Sequence, residues 1–252
     1  MCCIVRYKLP AKQTYMSKKR LVLTIILLVS ASFWGSDGFG ERLAYDVADK
    51  EINAAITEDT VVETAAEASP YTISEFDGVM RRIGEEEGQD WLLLSAIAYS
   101  ESRFQEDLVS RRGAIGLMQI MPIVGKQFNV AKEDIADTET NIRLAGKLLS
   151  KIESTLKLAP STSQSDRLSI ILACYNGGIG HVSDARRLAR SNGEDYNSWS
   201  VVSHYLQQKA NPEIYESEVV RYGKFTGSKQ TEAYVREVMK RYEMYRRIAQ
   251  GA

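Results

Sequence analysis

Cysteine is scarce in this chain. Three of its 252 residues are cysteines, and because Cys2 and Cys3 stand at the extreme N-terminus, Cys174 is alone in the remainder. A single cysteine cannot form an internal disulfide, so the fold must be stabilised by the packing of a hydrophobic core. Cys174 lies in an apolar stretch, where an inert buried thiol is the expected role.

Histidine is equally scarce, and no strong excess of positive charge is present. Neither His181 nor His204 belongs to a recognisable metal-binding spacing of Cys, His, Asp and Glu, so no metal or other cofactor is predicted. No glycine-rich phosphate loop follows a strand, which argues against nucleotide use. The net charge is −1, whereas a nucleic-acid-binding domain is more often strongly basic. Nucleic acid is therefore excluded as a partner.

Acidic residues are missing from the first 36 positions. A basic block at 18–20 there precedes an apolar run at 21–29 and several small residues, which is the pattern of a secretory signal peptide. The run is shorter than the roughly 20 residues that a membrane span needs, although an uncleaved membrane anchor is the alternative. We predict a signal-peptide region at 1–36, with 1–15 as an upstream start-site extension, and export to the periplasm or cell envelope.

The rest of the chain divides into two parts. Residues 37–70 are acidic, rich in Ala and Thr and without an apolar period, and are predicted to be a flexible linker. Residues 71–250 show helical periodicity and no convincing alternating strands, so one all-α, mainly helical domain is predicted. Helices are expected from Ser74 and Asp77 to Gly88, at 91–102 after an Asp90 cap, at 139–156 after a Thr138 cap, at 167–175, and near 180–191, 198–208 and 232–249.

Glu101 stands at the end of the helix at 91–102, which is apolar nearly all round. Desolvation there disfavours the carboxylate, and the helix C-terminus adds negative potential, so the pKa of Glu101 is predicted to be raised. A carboxyl group that stays protonated near neutral pH is what a general acid for glycosidic cleavage requires. The alternative from the residues alone is a loop that needs glycine for its turns, with Glu101 in a structural pair with an arginine such as Arg103.

A glycine-framed turn follows that helix. Gly113 and Gly116 are spaced so that the backbone can approach a ligand closely. Gln119 supplies an amide suited to sugar hydroxyls or N-acetyl groups. Pro122 is predicted to end a short helix at 118–121.

Several sequence blocks together resemble the soluble-lytic-transglycosylase-like (SLT) catalytic domain family, whose fold is lysozyme-like. The blocks are ESRF at 101–104, Ser110, GAIGLMQIMP at 113–122, CYNGG at 174–178 and TEAYVREV at 231–238. They follow the family's order and spacing across roughly residues 71–248. Two departures, Ile123-Val124-Gly125 after the Met-Pro pair and Cys174 in place of an alanine, bear on the shape of the groove rather than on the reaction.

The resemblance implies a role for each matched residue. Glu101 would be the sole catalytic acid/base. The substrate-binding residues would be Ser102 beside it, Ser110 orienting Glu101 or the substrate, Met118 and Gln119 lining the saccharide groove, Tyr175 and Asn176 beneath it, and Tyr234 near the carboxyl group. From the residues alone, Met118 as core filler and Tyr175 and Tyr234 as core aromatics are the alternatives.

One carboxyl group restricts the reaction. Glycoside hydrolysis usually uses two carboxylates, yet no Asp or Glu lies between Asp107 and Glu133. The family's reaction uses one glutamate to cleave the MurNAc-GlcNAc bond of peptidoglycan glycan strands and to form 1,6-anhydro-MurNAc ends. The resemblance thus implies a lytic transglycosylase that acts as a monomer without a cofactor. A goose-type-like muramidase and an inactive peptidoglycan-binding or envelope-assembly module are the alternatives.

Overall fold

The computed structural model describes residues 71–251, and the predictions for residues 1–70 lie outside this part of the chain. Helices make up the regular structure of the described residues, as predicted. In chain order they are α1 (Asp77–Glu87), α2 (Trp91–Ser102), α3 (Pro122–Gln127), a 3₁₀ helix (Glu133–Ala136), α4 (Thr138–Leu156), α5 (Gln164–Gly177), α6 (Ile179–Ser191), α7 (Trp199–Gln208), α8 (Pro212–Tyr215) and α9 (Ser228–Ala249).

Helix α2 is at the centre because it is apolar on every face. Its residues 92–98 are all buried, and α1 and α9 pack against it. The Asp90 carboxylate accepts a hydrogen bond from the Leu92 backbone N–H at 2.8 Å, which confirms the predicted cap. A helix that is buried on all sides carries the polar residues at its end into the interior as well. Glu101 is the penultimate residue of this helix.

Helix α9 runs antiparallel to α2 and contributes tyrosines to both ends of the contact. The Tyr242 hydroxyl donates to the Asp90 carboxylate at 2.6 Å, at the start of α2. Tyr234, which is two turns earlier on α9, lies beside Glu101 at the end of α2. Helix α5 packs against α9 as well, so the ends of three helices converge where Glu101 lies.

The predicted cap of α4 was wrong by one residue. The Asp137 carboxylate, not the Thr138 hydroxyl, accepts the hydrogen bond from the Thr140 backbone N–H, at 2.9 Å. Asp is among the strongest N-cap residues because its short carboxylate reaches the unpaired N–H groups of the first turn. The Thr138 hydroxyl donates instead to Glu106 at 2.5 Å, in the segment after α2.

Other helix boundaries differ from prediction as well, and α9 begins at Ser228 instead of the predicted 232. In two places, polar or proline residues begin a helix rather than end one. Helix α5 begins at Gln164, before the predicted start at 167, and its cap is the Ser163 hydroxyl, which accepts from the Asp166 N–H at 3.0 Å. Pro122 is the first residue of α3 and does not end a helix at 118–121. Proline is favoured at this first position because its missing N–H would be unpaired there anyway.

In the described part of the chain, no helix is both long and apolar enough to cross a membrane. The same residues hold no cluster of three or more His, Cys, Asp or Glu side chains arranged for a metal ion.

Candidate active site

The carboxyl group of Glu101 is half-buried and forms no ion pair with any cationic side chain of residues 71–251. Burial raises its pKa to about 7, while the hydroxyl of Tyr234 lowers it to a smaller extent. Arg103 does not neutralise Glu101, because its guanidinium binds Glu237 on α9 at 2.9 Å. The alternative of a structural Glu101–Arg103 pair is therefore wrong. Near neutral pH this carboxyl group exchanges readily between its protonated and ionised forms.

Two tyrosine hydroxyls lie close to this carboxyl group. Tyr175, on α5, donates to the backbone carbonyl of Met118 at 2.8 Å. Burial first, and then the charge of Glu101, raises the pKa of both Tyr175 and Tyr234 well above the ordinary value. Both hydroxyls therefore keep their protons at neutral pH.

The Tyr234 hydroxyl is buried and has no hydrogen-bond partner among the described residues. It is near enough to Glu101 for a weak hydrogen bond to lower the pKa of that carboxyl group, but the contact lies outside regular hydrogen-bonding geometry. Leaving a buried donor unpaired costs about 1–3 kcal/mol, so this hydroxyl is poised to accept a new partner. The ionised Glu101 carboxylate and a substrate oxygen are the groups that could provide one.

The segment between α2 and α3 forms a tight double turn beside these residues. Backbone bridges pair Ile115 with both Val109 and Ile120. The Ser110 side chain is part of this turn, since its hydroxyl oxygen accepts from the Ala114 N–H at 2.9 Å. Ser110 thus shapes the turn, and no hydrogen bond joins its side chain to Glu101.

The side-chain amino group of Gln119 forms hydrogen bonds within this turn. Its Nε2 donates to the carbonyl of Leu108 at 3.0 Å and to that of Gly116 at 2.9 Å. Its backbone has a φ of 49°, a left-handed conformation that is uncommon for residues other than glycine. The side-chain carbonyl makes no hydrogen bond with residues 71–251, so Gln119 presents a fixed acceptor.

Asn141 on α4 stabilises the turn by hydrogen bonds and was not among the predicted site residues. It is fully buried, and its side chain accepts from the Met118 N–H at 2.7 Å while donating to the carbonyls of Ile115 and Ile135 at 2.9 Å each. A buried amide must find such partners. The available signal was a polar residue on the apolar face of α4, one position before Ile142.

We expect Gly116→Ala to disrupt this turn and to destabilise the domain by about 2–4 kcal/mol. Gly116 has a φ of 77°, and an added Cβ would lie 2.7 Å from the Nδ2 atom of Asn141. Gly113→Ala is the matched control, because φ is 83° but nothing lies within 4 Å of the added Cβ. Urea unfolding of both variants separates the clash from the backbone strain; equal losses would contradict the role of Asn141.

Three further predicted site residues act mainly through the backbone or as structural supports. The Met118 side chain is fully buried and so fills the core instead of lining a groove; its carbonyl is the acceptor for Tyr175. Ser102 is buried too, and its hydroxyl donates to the carbonyl of Ala98 at 3.1 Å. The Asn176 side chain accepts from the Thr231 hydroxyl at 3.0 Å. Glu101, Tyr175 and Tyr234 are the predicted residues whose functional groups come together.

The sequence that contains Glu101 and the glycine-framed turn also matches a known protein family. Residues 79–198 match the model of the family described as the Transglycosylase SLT domain. By this match, residues 79–198 are an SLT transglycosylase domain. The matched residues include all the predicted site residues except Tyr234, which lies beyond them on α9.

Relatives of the SLT domain include two proteins named membrane-bound lytic murein transglycosylase F. The protein of Stutzerimonas stutzeri is 31% identical over 175 residues, which are 69% of this chain and 35% of the relative. The protein of Alkalilimnicola ehrlichii, named transglycosylase F 1, is 32% identical over 166 residues, covering 66% of this chain and 32% of the relative. The chain thus spans about a third of the length of these curated relatives.

Two solved structures resemble the chain. An inactive mutant of the lytic transglycosylase Slt from Pseudomonas aeruginosa has a TM-score of 0.47 and 21% sequence identity, and covers 81% of this chain and 29% of that one. The 70 kDa soluble lytic transglycosylase of Escherichia coli has a TM-score of 0.45 and 23% identity, and covers 70% of this chain and 24% of that one.

Proposed function

We propose that this SLT domain is a peptidoglycan lytic transglycosylase, which cleaves the β-1,4 bond between MurNAc and GlcNAc and leaves 1,6-anhydro-MurNAc ends. The observation that carries the proposal is the lone carboxyl group of Glu101, whose pKa is raised to about 7 by burial. Within the described part of the chain, no other carboxylate shifts the pKa of this group. The names of the relatives, which specify lytic murein transglycosylases, support the same activity.

A single carboxyl group can complete this reaction because it returns to its starting state. Protonated Glu101 donates its proton to the oxygen that leaves with GlcNAc, and the electron pair of the broken C–O bond goes to that oxygen. The positive charge left at C1 of MurNAc is stabilised by the neighbouring N-acetyl carbonyl. The Glu101 carboxylate then removes the proton of the C6 hydroxyl, and O6 forms a bond to C1. No water is consumed, and Glu101 is protonated again.

The neighbouring residues suit the two halves of this cycle. A pKa near the working pH lets one group serve first as acid and then as base. The unpaired hydroxyl of Tyr234 can donate to the Glu101 carboxylate while it is ionised, which is the direction in which Tyr234 shifts the pKa. Tyr175 fixes the Met118 carbonyl, and the free side-chain carbonyl of Gln119 can accept from a sugar hydroxyl or N-acetyl N–H.

We further propose that the protein works in the cell envelope on peptidoglycan glycan strands, as a monomer and without a cofactor. The relatives' names describe membrane-bound proteins, and the signal-like pattern at 1–36 predicts export, with a membrane tether if that segment is not cleaved.

Mass spectrometry of purified peptidoglycan digested with the full chain tests the reaction. We expect fragments that end in 1,6-anhydro-MurNAc and are lighter by one water than the products of hydrolysis. Reducing MurNAc ends would instead identify a muramidase, in which a second carboxylate activates water. A chain that binds peptidoglycan but releases no fragments would be a binding or assembly module.

A further inference from the structure

Tyr222 is a large aromatic side chain that the fold leaves in solvent. It is 60% exposed, and it is the one aromatic among the large apolar side chains that the described residues expose. It lies in the segment that connects α8 to α9. Exposed single apolar residues are common, so exposure alone decides nothing. What sets Tyr222 apart is how firmly the fold holds it there.

A fully buried carboxylate fixes the backbone of this segment. Asp184, on α6, accepts hydrogen bonds from the backbone N–H groups of Arg221 at 2.8 Å and Tyr222 at 2.9 Å. The same carboxylate binds the fully buried ammonium of Lys209 at 2.5 Å and the guanidinium of Arg187. Buried charges are costly unless paired in this way, and the result is a rigid anchor beneath Tyr222.

The ring of Tyr222 packs on α6 at Gly180, where the absence of a side chain leaves room for it. A Cβ added at Gly180 would lie 2.5 Å from the Cδ1 atom of the ring, so no other residue could stand there without displacing it. The His181 ring meets the Tyr222 ring edge-on, with the centroids 6.4 Å apart. One side of the aromatic ring is thus packed on the helix, while the remainder of the side chain is open to solvent.

The segment between α8 and α9 also packs against the α5–α6 junction, and two predicted site residues, Tyr175 and Asn176, lie just before this junction. Gly180 is four residues after Asn176, across the break between α5 and α6. Around that break, a Cβ added at Gly177 would lie 3.2 Å from the Phe225 ring and 2.9 Å from the Thr231 hydroxyl, which is the donor to Asn176. Tyr222 therefore lies against the start of α6, directly after the junction whose α5 side carries Tyr175 and Asn176.

We propose that Tyr222 is an accessory saccharide-binding residue, which stacks on an N-acetylhexosamine ring of the glycan strand beyond the sugars at Glu101. A pyranose ring presents a face of C–H groups, which suits the negative face of an aromatic ring. An aromatic residue with a fixed backbone loses little freedom on binding. The inference rests on the proposed function, because it names where a further part of the same substrate would lie.

The test is the binding of β-1,4-linked N-acetylglucosamine oligomers by calorimetry, with every variant made in a Glu101→Gln full chain so that no bond is cleaved. Tyr222→Ala should weaken binding of the hexasaccharide about tenfold, which corresponds to the burial of part of one aromatic ring, and leave binding of the disaccharide unchanged. Tyr222→Phe keeps the ring and should bind both oligomers as the parent does. Met244→Ala, at an exposed apolar residue on α9, is the control and should change neither affinity.

Three results would overturn the proposal: no hexasaccharide binding by the parent, equal affinity of Tyr222→Ala and the parent for the hexasaccharide, or an equal loss for both oligomers. Because these measurements need no cleavage, they are independent of the product analysis that tests the transglycosylase reaction. An absence of anhydro products from the unsubstituted chain would remove the proposed reaction and leave the tyrosine effect to be judged by the calorimetry.

Discussion

Glu101→Gln is expected to abolish cleavage of glycan strands. The amide keeps the volume of the side chain but can neither donate the proton to the leaving oxygen nor remove one from the C6 hydroxyl. General acid or base catalysis by one residue is worth about 10²–10⁴-fold, and in the proposed reaction both steps depend on the same group, so kcat/KM should fall by at least about a thousandfold. Release of soluble fragments from peptidoglycan measures this loss. A variant that still cleaves would remove Glu101 from its role.

The pH dependence of the native chain tests the same pKa. In the proposed reaction, cleavage begins with protonated Glu101, whose pKa is raised to about 7. We therefore expect kcat/KM to be highest below pH 7 and to fall as the pH rises through that value. A rate that continues to rise between pH 7 and 9 would mean that another group is the acid.

The same substitution should stabilise the domain at higher pH. Because the folded-state pKa of Glu101 is raised above the ordinary value, its contribution to stability is full in acid and is lost as the pH rises through about 7. A shift from 4.5 to about 7 corresponds to about 3 kcal/mol of instability at pH 8, which the neutral amide removes. Urea unfolding should show the variant and native chain converging at pH 4 and the variant more stable at pH 8.

Glu85→Gln is the matched control for both experiments. Glu85 is exposed on α1 and makes no ion pair with the described residues. The substitution should leave both cleavage and the pH profile of unfolding as they are in the native chain. If Glu85→Gln reproduced the stabilisation at pH 8, the effect would come from net charge and not from the burial of Glu101.

Local patterns predicted the parts of the site that depend on neighbours in sequence. The bounds of α2 follow from the Asp90 cap and from apolar residues on every face, and the raised pKa of Glu101 follows from its place at the end of that helix. Gly88 ends α1 with a φ of 66°, as its position predicts. The cap and the glycine stop are fixed by interactions within one or two helical turns, and the apolar sequence of α2 is enough to indicate that its end is buried.

Features built from distant residues could not be predicted in this way. Asn141 reaches the Met118 turn across 23 positions, and only the folded chain brings them together. Pro122 carries no local sign that separates the end of one helix from the start of another, because proline suits both places. Lys209 departs furthest from expectation: lysine is almost never fully buried, and composition alone assigns it to the surface.

Replacing Asp184 with Ala is expected to cost about 3–5 kcal/mol of stability, the usual penalty for removing one partner of a buried ion pair. Burial opposes ionisation of Asp184, but Lys209 and two backbone N–H groups outweigh it and hold the pKa of the carboxyl group below its ordinary value. Without that carboxylate, the Lys209 ammonium is left in the core with His181, at 3.0 Å, as its one remaining polar partner among residues 71–251. Urea unfolding at pH 7 measures the loss.

Lys209→Met separates two contributions of Asp184 to stability: its ion pair with Lys209 and its hydrogen bonds to the backbone of the α8–α9 segment. In this variant Asp184 keeps the Arg187 guanidinium and the backbone N–H groups of Arg221 and Tyr222, so the loss should be smaller than for Asp184→Ala. The double variant should be more stable than Asp184→Ala alone, because no unpaired ammonium remains in the core. It still lacks the acceptor for two backbone donors, so it should not return to native stability. An Asp184→Ala chain within about 1 kcal/mol of native would contradict the anchor, since one unpaired buried donor alone costs that much.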